Sequence, residues 1–401
     1  MRSLRPFGFA LGWLVLFEAL LRLLCAPDPR TVRDPEHPYG CFADDELGQL
    51  IAARAADGAR GEGAAGPLDV VLIGDSVLAS VENARGQRLV DALQPALQEA
   101  LAGPGSARPA TRVWALAAGG ARAIDVYAML RRVDQALRAG RRGTRGVLVV
   151  VSSNPIFFSQ RHLQPAMAYP CLAAELRQAG AASGVDDPRL RLAAPTESAL
   201  GRLEHRLLKL ATAHIYVLQQ RRRLAEAIFG GPPRLALRER LQRLHQRRGA
   251  RSALTAEGPD EPALRDRPWT ARNLSAAQFA ASYDFVPLDS PAAVNLLWTR
   301  VLAGWLGAHP DLPAVALLVP QNHALLGALA EGPAYTAVTT AVAAAFARAG
   351  VPFVSYDRDP ALRSEHFLDL DHLTSGGNRA LAGQLARELA PRLRALAGPA
   401  R

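Results

Sequence analysis

Five short apolar segments recur along the chain, and each is followed by small or polar residues. They occupy residues 69–76, 111–120, 146–154, 314–320 and 351–356. Within each segment the apolar positions are continuous, without the polar–apolar alternation of a half-exposed strand. Continuous apolar strands are typical of a sheet that is covered on both faces. The pattern therefore predicts five strands buried between two layers.

The segments between these strands repeat their apolar residues at helical spacing. The predicted helices span 89–101, 124–139, 335–349 and 376–397. Alternating strands and helices favour a parallel sheet with right-handed crossovers. We therefore expect an α/β fold, a doubly wound (flavodoxin-like) three-layer sandwich with a parallel sheet and a helical insertion.

The insertion is predicted at 171–287, where no convincing strand pattern occurs. It separates a first part of the domain, 68–170, from a second part, 288–401. Arginines and apolar residues alternate at helical spacing over 198–248, and glycines and prolines at 230–233 divide this stretch into a helical hairpin. A lid or substrate platform, a membrane-surface helix, and a hairpin packed on the core with its arginines in water are the open interpretations.

The first 26 residues have the length and hydropathy of a membrane anchor. Residues 7–25 are mostly apolar, which is close to the roughly 20 residues that span a bilayer. Glu18 and Arg22 interrupt the run, but their i,i+4 spacing lets them pair on one helix face. A cleaved signal peptide is the alternative. We expect a single-pass anchor in the cytoplasmic membrane, with the catalytic domain periplasmic or otherwise extracytoplasmic, and a poorly ordered linker over 27–67.

Charge and cysteine content restrict the possible chemistry. The formal net charge is +10, which suits either a solvated arginine surface or attraction to anionic membranes and glycans. Cys25, Cys41 and Cys171 lack the short spacing of a zinc or iron–sulfur site, although Cys41 and Cys171 could pair in an oxidising compartment. No P-loop and no dinucleotide fingerprint occurs. We therefore predict no metal, no cofactor and no nucleic-acid partner.

Ser76 directly follows the first predicted strand, in the sequence Gly-Asp-Ser. Ligands of doubly wound sheets bind beyond the carboxyl ends of the strands, so this hydroxyl is expected where a substrate lies. Gly74 permits a tight turn between strand and helix. A serine that only caps the helix is the alternative.

A histidine near the end of the chain supplies a candidate general base. Asp369 and Asp371 precede His372, and the predicted last helix follows. Serine becomes nucleophilic when an imidazole accepts its proton, and a carboxylate fixes the imidazole tautomer. We expect Asp369 to be that carboxylate and the adjacent Asp371 to point away. An acidic loop that caps the last helix is the alternative.

Gly-Asp-Ser after the first strand, with Asp-x-x-His before the last helix, resembles the SGNH (GDSL) hydrolase superfamily. The resemblance covers about 68–170 and 290–397. It implies a serine esterase or O-acyltransferase with the catalytic triad Ser76, Asp369 and His372, without metal or cofactor. It further implies an oxyanion hole formed by the Ser76 N–H, the Gly120 N–H and the Asn154 amide.

Two blocks depart from the usual pattern. Asn154 stands in Ser-Ser-Asn-Pro instead of Gly-x-Asn-Asp, and Leu373 replaces the usual proline after His372. With the predicted anchor, these changes resemble the cell-envelope branch that includes alginate O-acetyltransferases and teichoic-acid D-alanyl transfer proteins. That resemblance implies a membrane-bound O-acyltransferase as partner and an envelope polysaccharide or similar polymer as acyl acceptor. A noncatalytic assembly partner of such an acyltransferase is the alternative.

Three polar residues also follow the fourth predicted strand, namely Gln321, Asn322 and His323. They could line the same edge of the site. We expect them instead to be ordinary polar residues at a strand end.

Overall fold

A computed structural model provides the structure of the protein. It describes residues 44–59, 66–80, 82–83, 86–102, 110–140, 143–162, 172, 266–272, 274–290 and 293–397. The predicted anchor at 7–25, Cys41, Cys171 and the predicted hairpin at 198–248 lie outside these residues. Within the described part of the chain, no helix is both long and apolar enough to cross a membrane.

A five-stranded sheet forms the centre of the fold. Its strands are β1 (Leu68–Gly74), β2 (Thr111–Ala117), β3 (Val147–Ser153), β4 (Ala314–Leu318) and β5 (Phe353–Ser355). All neighbouring strands are parallel, in the order β2-β1-β3-β4-β5. The predicted α/β fold with a doubly wound parallel sheet is confirmed, and each strand overlaps one of the five predicted apolar segments.

Helices connect the strands and cover both faces of the sheet. The α-helices among the described residues are α1 (Asp44–Ala59), α2 (Ser76–Ala79), α3 (Leu89–Ala100), α4 (Ala123–Ala139), α5 (Val294–Ala308), α6 (His323–Leu326), α7 (Ala328–Glu331), α8 (Pro333–Arg348) and α9 (Ser375–Ala397). Short 3₁₀ turns occur at Pro155–Phe158, Gln160–His162, Trp269–Arg272, Ala276–Ser282 and Ser364–His366. The four predicted helices are confirmed as α3, α4, α8 and α9. Helices α1 and α5 were not predicted.

The strands divide their side chains between two apolar cores. Val71 and Ile73 of β1 point to the layer of α1, α4, α5 and α8, whereas Val70 and Leu72 point to the layer of α3 and α9. These four side chains are fully buried. Burial on both faces explains why the strands lack alternation: each position along β1 lies against one helical layer or the other.

Helix α1 is joined to the sheet by a buried ion network at the amino ends of β1 and β2. The fully buried carboxylate of Asp69 accepts hydrogen bonds from Arg54 Nη1 at 2.7 Å, Arg112 Nε at 2.7 Å and Trp114 Nε1 at 2.9 Å. Arg112 Nη2 also pairs with Asp57 of α1 at 2.9 Å. The predicted linker at 27–67 is therefore wrong for Asp44–Ala59, because this segment is a helix fixed by long-range ion pairs.

The carboxyl ends of the strands, opposite this ion network, form the end of the sheet that can hold a site. From β1 the chain continues to its neighbour β2 on one side, and from β3 it continues to its neighbour β4 on the other side. The two strands are adjacent, with Ile73 paired to Val151 near their carboxyl ends. Ligands of doubly wound sheets bind at such a switch point. Ser76 and Asn154 follow these two strand ends.

Candidate active site

Ser76 begins α2 directly after β1, and the turn before it is closely packed. Asp75 is the N-cap of α2, and its Oδ1 accepts the Val77 N–H at 3.2 Å. A Cβ on Gly74 would lie 1.9 Å from Ser152 Oγ. Close approach of β3, and not a left-handed backbone, therefore requires glycine at position 74. The turn leaves Ser76 half-buried at the carboxyl edge of the sheet.

Ser80 closes the short helix that begins at Ser76. Its φ is +46°, a left-handed conformation that costs free energy for a residue with a Cβ. Its buried hydroxyl lies 3.3 Å from Asn378 Oδ1 and accepts the Leu89 N–H at 3.0 Å. These contacts hold the strained turn and join it to α9.

A second connection joins this segment to the loop that carries the histidine. Asn83 Nδ2 donates to the Leu373 carbonyl at 3.1 Å, and Asn378 Nδ2 donates to Asn83 Oδ1 at 3.0 Å. Leu373 directly follows His372. The segment after Ser76 and the His372 loop are therefore held against each other by buried amides.

Two residues near the end of the predicted insertion, Asp266 and Trp269, also brace this loop. Asp266 accepts the Ser375 N–H at 2.5 Å and the Ser375 hydroxyl, and so caps α9. The backbone N–H of Trp269 donates to the Phe367 carbonyl at 2.8 Å, and its indole Nε1 donates to the Ser364 hydroxyl at 2.9 Å. The loop is thus fixed on both sides of His372.

His372 is oriented by the predicted carboxylate. Its Nδ1 lies 3.0 Å from both Oδ1 and Oδ2 of Asp369. Asp369 Oδ1 also accepts the backbone N–H of Asp371 at 3.2 Å and that of His372 at 2.9 Å. The structure therefore brings Asp369 and His372 together as the sequence predicted.

Asp371 does not point away, and that expectation is wrong. Its Oδ1 lies 3.2 Å from His372 Nδ1, and the residue is 1% exposed. The physical reason is the tight turn around Asp369 Oδ1, which bends the backbone so that adjacent side chains converge on the same nitrogen.

Asn154 lies at the end of β3, but its amide faces carboxylates. Its Nδ2 donates to Asp75 Oδ2 at 2.7 Å and to Asp371 Oδ2 at 2.7 Å. Its Oδ1 accepts the Ile156 N–H at 3.3 Å. Since an amide nitrogen carries two hydrogens, both donors are in use.

Two consecutive glycines at the end of β2 lie in an exposed turn. Gly120 has φ +75°, which favours glycine. A Cβ on Gly119 would lie 4.0 Å from the Ser76 Cβ, whereas no atom lies within 4 Å of a Cβ on Gly120. The turn therefore adjoins Ser76 through Gly119, and the donor role of the Gly120 N–H stays a prediction.

Two of the polar residues after β4 also belong to this region. Gln321 Nε2 lies 3.4 Å from Asn154 Oδ1. Asn322 donates through its backbone N–H to the Leu370 carbonyl at 2.8 Å and through Nδ2 to the Asp369 carbonyl at 2.9 Å. Both are nearly fully buried. They support the site, so describing them as ordinary strand-end residues understated their role.

His323 belongs to a separate contact set. Its Nε2 lies 3.0 Å from Asp357 Oδ1, which also accepts the Tyr335 hydroxyl. Its ring meets the Tyr335 ring edge-on at 5.9 Å. The contacts among His323, Asp357 and Tyr335 stabilise the loops that follow β4 and β5.

Burial and crowded carboxylates change the protonation of the site. Burial alone would lower the pKa of His372, but the charges of Asp371 and Asp369 outweigh it and raise that pKa to about 10. Burial raises the pKa of Asp371 to about 7, against the attraction of His372. Burial likewise raises the pKa of Asp75. For Asp369, contact with His372 outweighs burial and lowers the pKa.

The remaining ring nitrogen of His372 is without a hydrogen-bond partner. Nε2 is buried and neither donates nor accepts a hydrogen bond within the described residues, so none joins it to Ser76 Oγ. Asp369, Asp371 and His372 place three oxygen or nitrogen atoms within 4.8 Å of one another. Those atoms already contact each other as a carboxylate–imidazole cluster, and we assign no metal there.

Comparison of the chain with family models and with curated proteins gave no match.

Proposed function

We propose that this chain is a serine esterase or O-acyltransferase that forms an acyl-enzyme at Ser76. One observation carries the proposal: a carboxylate-oriented histidine, with its second ring nitrogen unpartnered, lies on a loop that buried amides tie to the segment after Ser76. A nucleophile, a base and an orienting carboxylate are the components that acyl transfer requires.

The reaction follows from these components. His372 Nε2 accepts the Ser76 hydroxyl proton as Ser76 Oγ attacks the acyl carbonyl carbon, and Asp369 stabilises the imidazolium through Nδ1. The tetrahedral intermediate collapses, and His372 returns the proton to the leaving alcohol. Water or a second hydroxyl then attacks the acyl-enzyme, with His372 again as base. Water gives an esterase, and an acceptor hydroxyl gives a transferase.

A fluorophosphonate probe tests the nucleophile, because it phosphonylates an activated serine. We expect the full-length chain to be labelled and Ser76→Ala to remain unlabelled. Ser355→Ala is a matched control, since Ser355 is an exposed serine at the carboxyl end of β5. Labelling that persists in Ser76→Ala would contradict the proposal.

We infer the biological setting from the resemblance alone. The acyl acceptor would be an envelope polysaccharide or similar polymer, and a membrane-bound O-acyltransferase would supply the acyl group. The residues at 7–25 would anchor the chain with its catalytic domain outside the cytoplasmic membrane. These statements rest on the sequence, because the anchor lies outside the described residues.

The noncatalytic alternative has one observation in its favour. Asn154, the expected oxyanion donor, has both hydrogens engaged by Asp75 and Asp371. Complementation separates the two functions: a cell that retains full envelope modification with Ser76→Ala and His372→Ala combined would need the protein only as an assembly partner.

A further inference from the structure

The candidate active site holds more carboxyl groups than orienting one histidine requires. Asp75 and Asp371 are each 1% exposed, and Asp369 contacts the same histidine as Asp371. Like charges in a buried site repel, and a shared hydrogen-bond donor between them reduces the cost. The residue that supplies that donor here is Asn154.

Asn154 joins the two buried carboxyls by one nitrogen. Its Nδ2 lies 2.7 Å from Asp75 Oδ2 and 2.7 Å from Asp371 Oδ2. The other oxygen of Asp371 lies 3.2 Å from His372 Nδ1, and the other oxygen of Asp75 caps α2. A continuous chain of contacts therefore runs from the turn before Ser76 to the base.

An oxyanion donor needs a hydrogen directed at the substrate oxygen. Asn154 is 2% exposed, and each of its two amide hydrogens already meets a carboxylate. Turning the amide toward a substrate would leave Asp75 or Asp371 buried without this donor, which is costly.

We propose that Asn154 is a positioning residue for the base: its amide holds Asp371 against His372 Nδ1 and does not donate to the substrate oxyanion. This inference rests on the proposed function. Asp371 is then a second carboxylate partner of His372 beside Asp369, and Asp75 couples the pair to the turn that presents Ser76.

The charged groups that act on His372 define the expected result. They are Asp371, Asp369 and Glu82, and Asp75 acts on Asp371. Asp371→Asn removes a negative charge next to the ring, so His372 should lose its proton at lower pH. Asn154→Ala removes a donor that stabilises ionised Asp371, so it should act in the same direction.

The test is an NMR titration of histidine ring signals in the full-length chain, which needs no enzymatic activity. The His372 signal is assigned by its loss in His372→Gln. We expect Asp371→Asn and Asn154→Ala each to lower the titration midpoint, the former by about 1 to 3 pH units. The double variant should lower it no further than the larger single effect. Asn295→Ala is the control, because that amide donates to the Phe157 carbonyl and to no carboxylate. The His372 titration midpoint in this variant should match that of the wild type.

An oxyanion role predicts a different pattern. The His372 midpoint in Asn154→Ala would then equal that of the wild type, and fluorophosphonate labelling would fall by about 10²–10³-fold equally at every pH. Either an unchanged midpoint or additive effects of the two substitutions would overturn the proposal. If Asn154→Ala does not fold, two other variants provide the same comparison. Asp371→Asn keeps the shape of the side chain, and Asn154→Ser keeps a smaller donor. Absence of any Ser76 labelling, with these midpoint shifts intact, would refute the proposed function and show only that Asn154 holds Asp371 against His372.

Discussion

Gly74 is a sensitive position because the Ser152 side chain of the neighbouring strand β3 lies against it. In Gly74→Ala, the new Cβ would lie 1.9 Å from Ser152 Oγ, 2.9 Å from Ser152 Cβ and 3.0 Å from Leu78 Cδ1. Rotation of the Ser152 side chain can move Oγ but not Cβ, so backbone must shift. Overpacking of this kind costs about 1–3 kcal/mol. Loss of the 3.3 Å bond from the Asp75 N–H to Ser152 Oγ adds about 0.5–1.5 kcal/mol.

Urea unfolding followed by circular dichroism measures this cost. We expect Gly74→Ala to lower the free energy of unfolding by about 1.5–4.5 kcal/mol. Gly304→Ala is the matched control, because Gly304 is an exposed helical glycine with no atom within 4 Å of an added Cβ. That control should raise stability by about 0.5–1 kcal/mol. Ser152→Gly added to Gly74→Ala should recover at least about 1 kcal/mol, since it removes the clashing atoms. A cost below about 0.5 kcal/mol, or no recovery in the double variant, would refute the close-approach argument.

Three further outcomes follow from the charges. Asp69→Ala should cost about 3–5 kcal/mol in urea unfolding, because it removes the fully buried carboxylate that pairs with both Arg54 and Arg112. Asp134→Ala, which breaks the more exposed pair with Arg138, should cost less than about 1 kcal/mol; equal costs would contradict the buried network. Fluorophosphonate labelling should rise from neutral pH toward about 10, because His372 must be neutral to accept a proton and its pKa is raised to about 10; a plateau near pH 8 would indicate an ordinary histidine. Asp369→Asn should lower the labelling rate by about 10²-fold or more, through loss of the correct tautomer, and an unchanged rate would remove Asp369 from the triad.

The sequence predicted the sheet well because burial on both faces leaves a local signature. Each strand has an apolar run with polar residues only near its ends, such as Asp69 in β1 and Arg112 in β2, and the helices α3, α4, α8 and α9 carry clear helical periodicity. Helix α1 was missed because the whole stretch 26–67 is rich in proline, aspartate, glycine and alanine, which is typical of a linker. The position of this helix depends on Arg54 reaching Asp69. Such a long-range ion pair leaves no periodic pattern.

The candidate site was predicted in part. Ser76, Asp369 and His372 follow from residue types at a strand end and on one loop, and the loop contact between the last two is present. The convergence of Asp371 on the same nitrogen depends on a backbone turn, which adjacency in sequence does not reveal. The two carboxylates on Asn154 come from positions 79 and 217 residues away, so the sequence alone could not show that its donors are occupied.

Trapping of the acyl-enzyme tests the central claim most directly. The full-length chain is mixed with p-nitrophenyl acetate, quenched in acid and digested, and the peptide that contains Ser76 is examined by mass spectrometry. We predict an acetyl group on Ser76 in the wild type, and none in Ser76→Ala or His372→Gln. An unmodified Ser76 peptide under conditions where the ester is hydrolysed, or an acetyl group on another residue that persists in Ser76→Ala, would contradict acyl transfer through Ser76.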